Sequence, residues 1–299
     1  MLLVKMAADG SDDINRFAQA VRGREVTNDD TLDSYIRWVE RFETWHTEAS
    51  PTETTVREFD RYLASNDEFL WNMGHPLRND EDRPGYAYRT RVKALSAVKL
   101  WMRFHYGVEI ETEVQNLALG EAPDYDPDWL SGDDCERIIA TADDACDNEE
   151  CKTLLRLSYD AILRAAEAAN VERDDISLDR GTIYVRAKKG SMNAEIGLDD
   201  VTVARLQEHI NAFSGRDRLF RNAYDRAWKP NALAQHFRRC HHEVGIHSFS
   251  RHSPIIHRLN DGEPFGDVMR RARHTNATTT MRYARLVGAE IPPWVEENR

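Results

Sequence analysis

Residues 245–283 read GIHSFSRHSPIIHRLNDGEPFGDVMRRARHTNATTTMRY. The segment carries an Arg-His pair (Arg251-His252), a His at 274 and a Tyr at 283. An amphipathic stretch, a break at Gly262 and a second helical stretch, Phe265 to Ala272, lie between the first pair and His274. Two helices joined by a short loop bring Arg251, His274 and Tyr283 to one end. Arg, imidazole and phenol together suit phosphate chemistry. Arg offers a rigid fork that matches phosphate oxygens. His donates or accepts at neutral pH, and Tyr becomes a nucleophile once its proton is removed.

The set resembles the tyrosine recombinase (phage-type integrase) family. That family has a box His-x-x-Arg-His, then a Gly, then Leu-Gly-His, then Thr-Thr-x-x-Tyr. Arg251-His252, Gly262, His274, Thr279-Thr280 and Tyr283 fall at the family's spacing without a gap. The box's first His is replaced by Ser248, with His247 one place away. Either the loop shifts and His247 substitutes, or the position is not His in this chain. Upstream, Leu163, Arg164 and Glu167 match the family's Thr-Gly-Leu-Arg-x-x-Glu, with Ile162 in place of the Gly.

Around these boxes, Leu154–Ala169 reads as an apolar helical run with Arg164 and Glu167 inside it. Buried charge there needs a partner or a purpose. Ile183 and Val185 alternate with polar residues, and Asn193–Leu198 reads as a returning strand. The turn between holds Lys188-Lys189-Gly190, and the resemblance implies Lys189 as a catalytic lysine. A helix is expected over Val201–Phe213, a short strand at Leu219-Phe220, and a helix over Ala232–Val244 that presents Arg238 and Arg239. His236 and Cys240 have the i,i+4 spacing of zinc ligands, but no complementary pair sits at zinc-finger spacing. A DNA-facing helix is the more natural reading, and no metal is expected.

The first 116 residues read as a small helical domain. Leu32, Tyr35, Ile36, Val39 and Phe42 make one apolar stripe. Thr55 and Glu58 form a capping box. Val92, Leu95, Val98 and Met102 line a further helix that ends at Gly107. Residues 1 to about 28 are polar and expected to fray. Residues 72–85 read as a loop, with Pro76 and Pro84. Trp38, Trp45, Trp71 and Trp101 could stack on bases, but aromatic stripes at helical spacing are far more often core. The resemblance gives the domain a role, clamping the back of DNA, with Arg83, Arg89, Arg91, Lys93, Lys99 and Arg103 as phosphate contacts. A solvated helix face explains any one of them equally well.

Residues 117–129, with Gly120, Pro123 and Pro127, read as a linker. Ser131 and Asp134 then form a capping box that opens the second domain, 130–299. After Tyr283 a short tail remains, in which Trp294 and Val295 anchor either docking on a neighbouring subunit or local packing. The expected architecture is mainly α with a small antiparallel sheet: a helical core-binding domain plus an α+β catalytic domain.

The chain has 299 residues, 41% hydrophobic and 31% charged. No apolar run is long enough to span a bilayer, and the start lacks a signal-peptide pattern. A cytoplasmic protein with free thiols is expected from Cys135, Cys146, Cys151 and Cys240, which contain no C-x-x-C. Net charge is -12 and pI about 5.4, which taken alone argues against nucleic-acid binding. The charge is uneven, however. Residues 216–285 hold 14 Lys and Arg against 6 Asp and Glu. Only seven lysines occur in the whole chain. Acidic surface with Arg in place of Lys fits a halophilic archaeon, and a GC-rich genome is the alternative.

The resemblance implies a site-specific recombinase that needs neither metal nor cofactor and acts on a double-stranded DNA recombination site as a homo-oligomer, a tetramer. It cuts and rejoins through a 3′-phosphotyrosyl intermediate, with Arg164, Lys189, Arg251, His274 and Tyr283 as its reactive side chains. The departures at Ile162 and Ser248 leave open a DNA-binding relative with reduced chemistry.

Overall fold

The computed structural model describes residues 3–26, 29–65, 85–121, 124–186, 192–241 and 244–296. Trp71, Arg83, the expected loop up to Gly85, and Lys188-Lys189 lie outside these. The chain divides into two compact units, Met1–Asp124 and Tyr125–Arg299.

The first unit is helical. The start expected to fray instead forms α1 (Leu3–Val21). Ile14, Phe17, Ala18 and Val21 recur on one face, and Phe17 is buried edge-on against Trp101, their rings 5.3 Å apart. α2 (Asp29–Trp45) buries Leu32, Trp38, Val39 and Phe42. α3 (Glu53–Ser65) begins two residues before Thr55, whose hydroxyl lies in the first turn and accepts from the Thr52 N–H at 2.9 Å. α4 (Tyr88–Trp101) widens into a π turn, Met102–Tyr106, and Gly107 ends it at φ 66°. Trp38, Trp45 and Trp101 belong to this core, as an apolar stripe should.

The second unit opens at α5 (Gly132–Ala140), where the Ser131 hydroxyl accepts from the Asp134 N–H at 3.1 Å. α6 (Ala142–Cys146) and α7 (Cys151–Asp160) follow. Three strands, β1 (Ile176–Ser177), β2 (Thr182–Val185) and β3 (Ala194–Gly197), pair antiparallel in the order β1-β2-β3. Ile183 lies opposite both Ile176 and Ile196, so one face of the sheet is apolar and buried. Leu219 and Phe220 are buried but form no strand; isolated bridges Glu172–Arg218 and Arg221–Ala227 flank them. α8 (Asp200–Ala212) precedes them, and α9 (Pro230–Cys240) ends four residues before the expected Val244.

A separate apolar cluster holds α10 (Ser253–Asn260), α11 (Phe265–Arg271) and α12 (Ala277–Val287) together through Ile255, Ile256, Phe265, Val268 and Met281. Val295 packs into this cluster, so the tail packs locally at that residue. The expected linker is partly taken up by packing. Leu117 and Ala118 are buried in the first unit, and Tyr125 packs against the cluster of the second. No described helix is long and apolar enough to cross a membrane.

Candidate active site

The run 154–169 is not one helix. α7 stops at Asp160, and Ile162 takes a left-handed conformation, φ 51°. A β-branched residue there is a genuine outlier, costing about 1–3 kcal/mol. Two things over-determine it. The Ile162 side chain is fully buried in the α10–α12 cluster. Its carbonyl accepts from Arg251 Nη1 at 2.8 Å and from Arg273 Nη2 at 2.6 Å. The reversal turns Arg164 into extended backbone at the cap of a one-turn helix, Ala165–Ala168. The Glu167 carboxylate then accepts from the Arg164 N–H at 2.8 Å and from its Nη1 at 3.1 Å.

Arg273 is also left-handed, φ 56°, and 0% exposed. It donates to the Ala161 carbonyl and to Glu167 Oε2, the latter at 2.7 Å. Glu167 thus joins Arg164 to Arg273. Burial alone would raise the Glu167 pKa, but Arg273 and the Arg164 backbone outweigh it and leave the pKa lowered.

Ser248–His252 form a π turn just before α10. Wide turns of this kind recur at functional sites. The turn buries Arg251, 2% exposed, whose Nη2 donates to His274 Nε2 at 2.9 Å. Arg has no acceptor, so this His274 nitrogen is unprotonated and Nδ1 carries the proton. Nδ1 lies 2.8 Å from the Thr280 hydroxyl. Burial, with the positive charge of Arg251 and Arg164, pushes His274 down to about 3, so the ring is neutral. Burial and Arg164 push Arg251 to about 9, which still leaves it charged at neutral pH.

Tyr283 lies on the second turn of α12, 3% exposed. Its hydroxyl is 2.7 Å from His252 Nδ1, its ring packs edge-on against Tyr125 at 5.3 Å, and it lies parallel to His274 at 6.3 Å. The surrounding positive charge favours the phenolate, as the sequence leads one to expect, but it is outweighed. Burial and the bond to Tyr125 raise the phenol pKa, and Arg251 and Arg164 only partly oppose them.

His247 stacks edge-on against His252 at 4.6 Å. Its surroundings, His252 and Arg251 push its pKa down to about 4, although part of its surface reaches solvent. The Ser248 carbonyl accepts from the Ser253 hydroxyl at 2.8 Å. Lys189 lies outside the described residues.

The structure therefore brings together Arg164, Arg251, His274 and Tyr283, with His247 beside them. It adds three residues that the sequence left without a role: His252, which touches the phenol, Tyr125 and Arg273. Arg273 stands where the Leu-Gly-His box has Gly, and that substitution was the readable signal. Among the expected DNA contacts, Lys93, Arg238 and Arg239 are exposed. Arg91 is not. It is 7% exposed, ion-paired with the buried Asp60, and bonded to the Leu119 carbonyl at 2.8 Å, so its donors serve the fold. Lys99 donates to the Thr112 carbonyl and Arg103 pairs with Glu25.

A left-handed turn delivers one arginine, a π turn buries a second, and a helix brings a tyrosine to them. Residues 128–289 match the model of the phage integrase family. The chain belongs to that family, the tyrosine-type site-specific DNA recombinases. It is 23% identical over 288 residues to tyrosine recombinase XerA of Pyrococcus horikoshii, covering 91% of this chain and 95% of that one. It is 29% identical over 241 residues to XerA of Saccharolobus solfataricus, covering 79% and 76%. The fold is similar to a lambda integrase dimer bound to a COC′ core site, at TM-score 0.67, 12% identity and 94% and 97% coverage. It is also similar to the Tn1549 transposon integrase in complex with a circular intermediate DNA, at TM-score 0.65, 14% identity and 96% and 98% coverage.

Proposed function

We propose that the chain cuts and rejoins double-stranded DNA at a specific site through Tyr283. The phenolic oxygen attacks the scissile phosphorus, the bond to the 5′ oxygen breaks, and a 3′-phosphotyrosyl link remains. His252 takes the phenol proton, since it is neutral and 2.7 Å away. Its pKa is lowered by burial and by Arg251. Arg164 and Arg251 hold the non-bridging oxygens and stabilise their charge in the transition state. Lys189 protonates the departing 5′ oxygen. His274 steers Arg251 and, once the phosphate takes over that guanidinium, its ring proton shifts from Nδ1 to Nε2, which then donates to the phosphate while the Thr280 hydroxyl donates to Nδ1. The covalent link conserves the phosphodiester energy, so rejoining needs no ATP.

The observation that carries this reading is the Tyr283–His252 contact at 2.7 Å beside the Arg251–His274 contact at 2.9 Å, with the rings of Tyr283 and His274 parallel at 6.3 Å. The departure at Ile162 does not disable the first box, because the residue adopts the left-handed turn for which Gly is suited. Lambda integrase and the Tn1549 integrase are bound to DNA in their structures, and the same partner follows here, engaged by a tetramer on paired sites. Incubation with supercoiled plasmid bearing the cognate site tests the proposal. Relaxation by the wild type and none by Tyr283→Phe is expected. DNA binding without relaxation would support the reduced-chemistry alternative.

A further inference from the structure

Three thiols and an imidazole converge in the second unit, away from Tyr283. Cys146 ends α6, Cys151 begins α7, and His236 and Cys240 lie one turn apart on α9. Donor atoms of Cys146, Cys151 and His236 all lie within 4.8 Å of one another. Cys240 Sγ is 3.6 Å from His236 Nε2. The sequence offered the His236–Cys240 pair alone. The fold supplies the complementary pair from about ninety residues upstream, at Cys146 and Cys151.

We propose that these four side chains bind one zinc ion as a structural Cys3His site. Tetrahedral zinc, with bonds of about 2.3 Å to sulfur and 2.0–2.1 Å to nitrogen, sets the donors of a Cys3His set roughly 3.5–3.8 Å apart; the Cys240–His236 contact already has that spacing, and the Cys146, Cys151 and His236 donors would close in from within 4.8 Å. His236 also bonds the Cys146 backbone, the kind of outer contact that orients a metal-bound imidazole. Cys146 and Cys151 are 5% and 2% exposed, which suits a closed site without a water position. Packing alone explains the remaining cysteine, Cys135, which is buried in the apolar core. It does not explain sulfurs that crowd one another. A bound cation deprotonates the thiols that hold it.

The ion would tie α6 and α7 to α9. α7 leads directly to Ile162 and Arg164, and α9 leads to the turn that carries Arg251. Its role would be to fix those two approaches, not to touch substrate.

The test uses the full chain, purified reduced from zinc-supplemented medium. About one zinc per chain is expected by elemental analysis. It should be lost in Cys146→Ser/Cys151→Ser and kept in Cys135→Ser. Because the double variant can fail by unfolding, chelated wild type is also titrated with cobalt alone. Thiolate–cobalt absorption that saturates at one equivalent, together with a higher Tm, is expected. No such absorption from folded, reduced protein would overturn the proposal. So would equal metal content in a folded double variant, or a Cys146–Cys151 disulfide in protein taken directly from the cytosol.

Discussion

Arg273 donates to the carbonyl of Ile162 at 2.6 Å, and both residues are left-handed, at φ 56° and 51°. The family pattern has glycine at both places. Here each strained residue supports the other, and the Arg273 guanidinium also neutralises the buried Glu167 at 2.7 Å. Arg273→Gly would relieve about 1–3 kcal/mol of backbone strain. It would also break a buried pair, a loss of about 3–5 kcal/mol. A net destabilisation of about 2 kcal/mol is expected by urea denaturation. A variant as stable as the wild type would refute the supporting role of Arg273.

Tyr283→Phe removes the phenolic oxygen and its bond to His252 but keeps the ring packed on Tyr125. The variant should fold and bind DNA as the wild type does, and form no covalent adduct on a nicked suicide substrate. An adduct would assign the nucleophile elsewhere.

His252 touches the phenol, and His247 packs against His252. His252→Ala should therefore slow cleavage by about 10² or more, the usual scale of proton-transfer catalysis. His247→Ala should cost less, and Ser248→Ala least. Single-turnover cleavage rates would rank the three. If His247→Ala proves the most damaging, His247 is the base.

His274 is 6% exposed, with its pKa lowered to about 3. In the unfolded chain a histidine titrates near 6.5. Between these values the unfolded state binds a proton that the folded state refuses, so stability falls as pH drops. The slope is about 1.4 kcal/mol per pH unit for this one group. His274→Gln should flatten the decline of Tm between pH 6.5 and 4. An unchanged pH profile would show that His274 is not buried neutral.

Arg238 and Arg239 are exposed on α9, whereas Arg91 is buried against Asp60. If the first two contact phosphates, Arg238→Ala/Arg239→Ala should weaken DNA binding and reduce the slope of log affinity against log salt by about two. Arg91→Ala should lower the unfolding free energy by about 3–5 kcal/mol and leave that slope unchanged. Titrations at several salt concentrations separate the two behaviours.

The boxes around Arg251, His274 and Tyr283 were legible because their chemistry sits at fixed spacing in one continuous stretch. The helices α2 to α4 were legible from periodicity. The break at Ile162 was not. The helical pattern continues through residues 154–169, and the one mark of the turn, the family's Gly, is replaced by an isoleucine that only tertiary contacts hold left-handed. Arg91 read as a surface charge because its partner, Asp60, lies 31 residues away. The thiol cluster was hidden for the same reason, since it joins two sequence-distant pairs. The helix at the N-terminus was missed because the polar run Asp9-Gly10-Ser11-Asp12-Asp13 interrupts its apolar pattern.

The helix that carries Tyr283 also carries Thr280, whose hydroxyl holds the ring of His274, which in turn receives Arg251. The proposed nucleophile and the groups proposed to hold the phosphate are thus mechanically ganged. A shift of α12 large enough to unseat the phenol would release the imidazole as well. Such a protomer would go silent all at once, passing from competent to inert without a half-active stage in between.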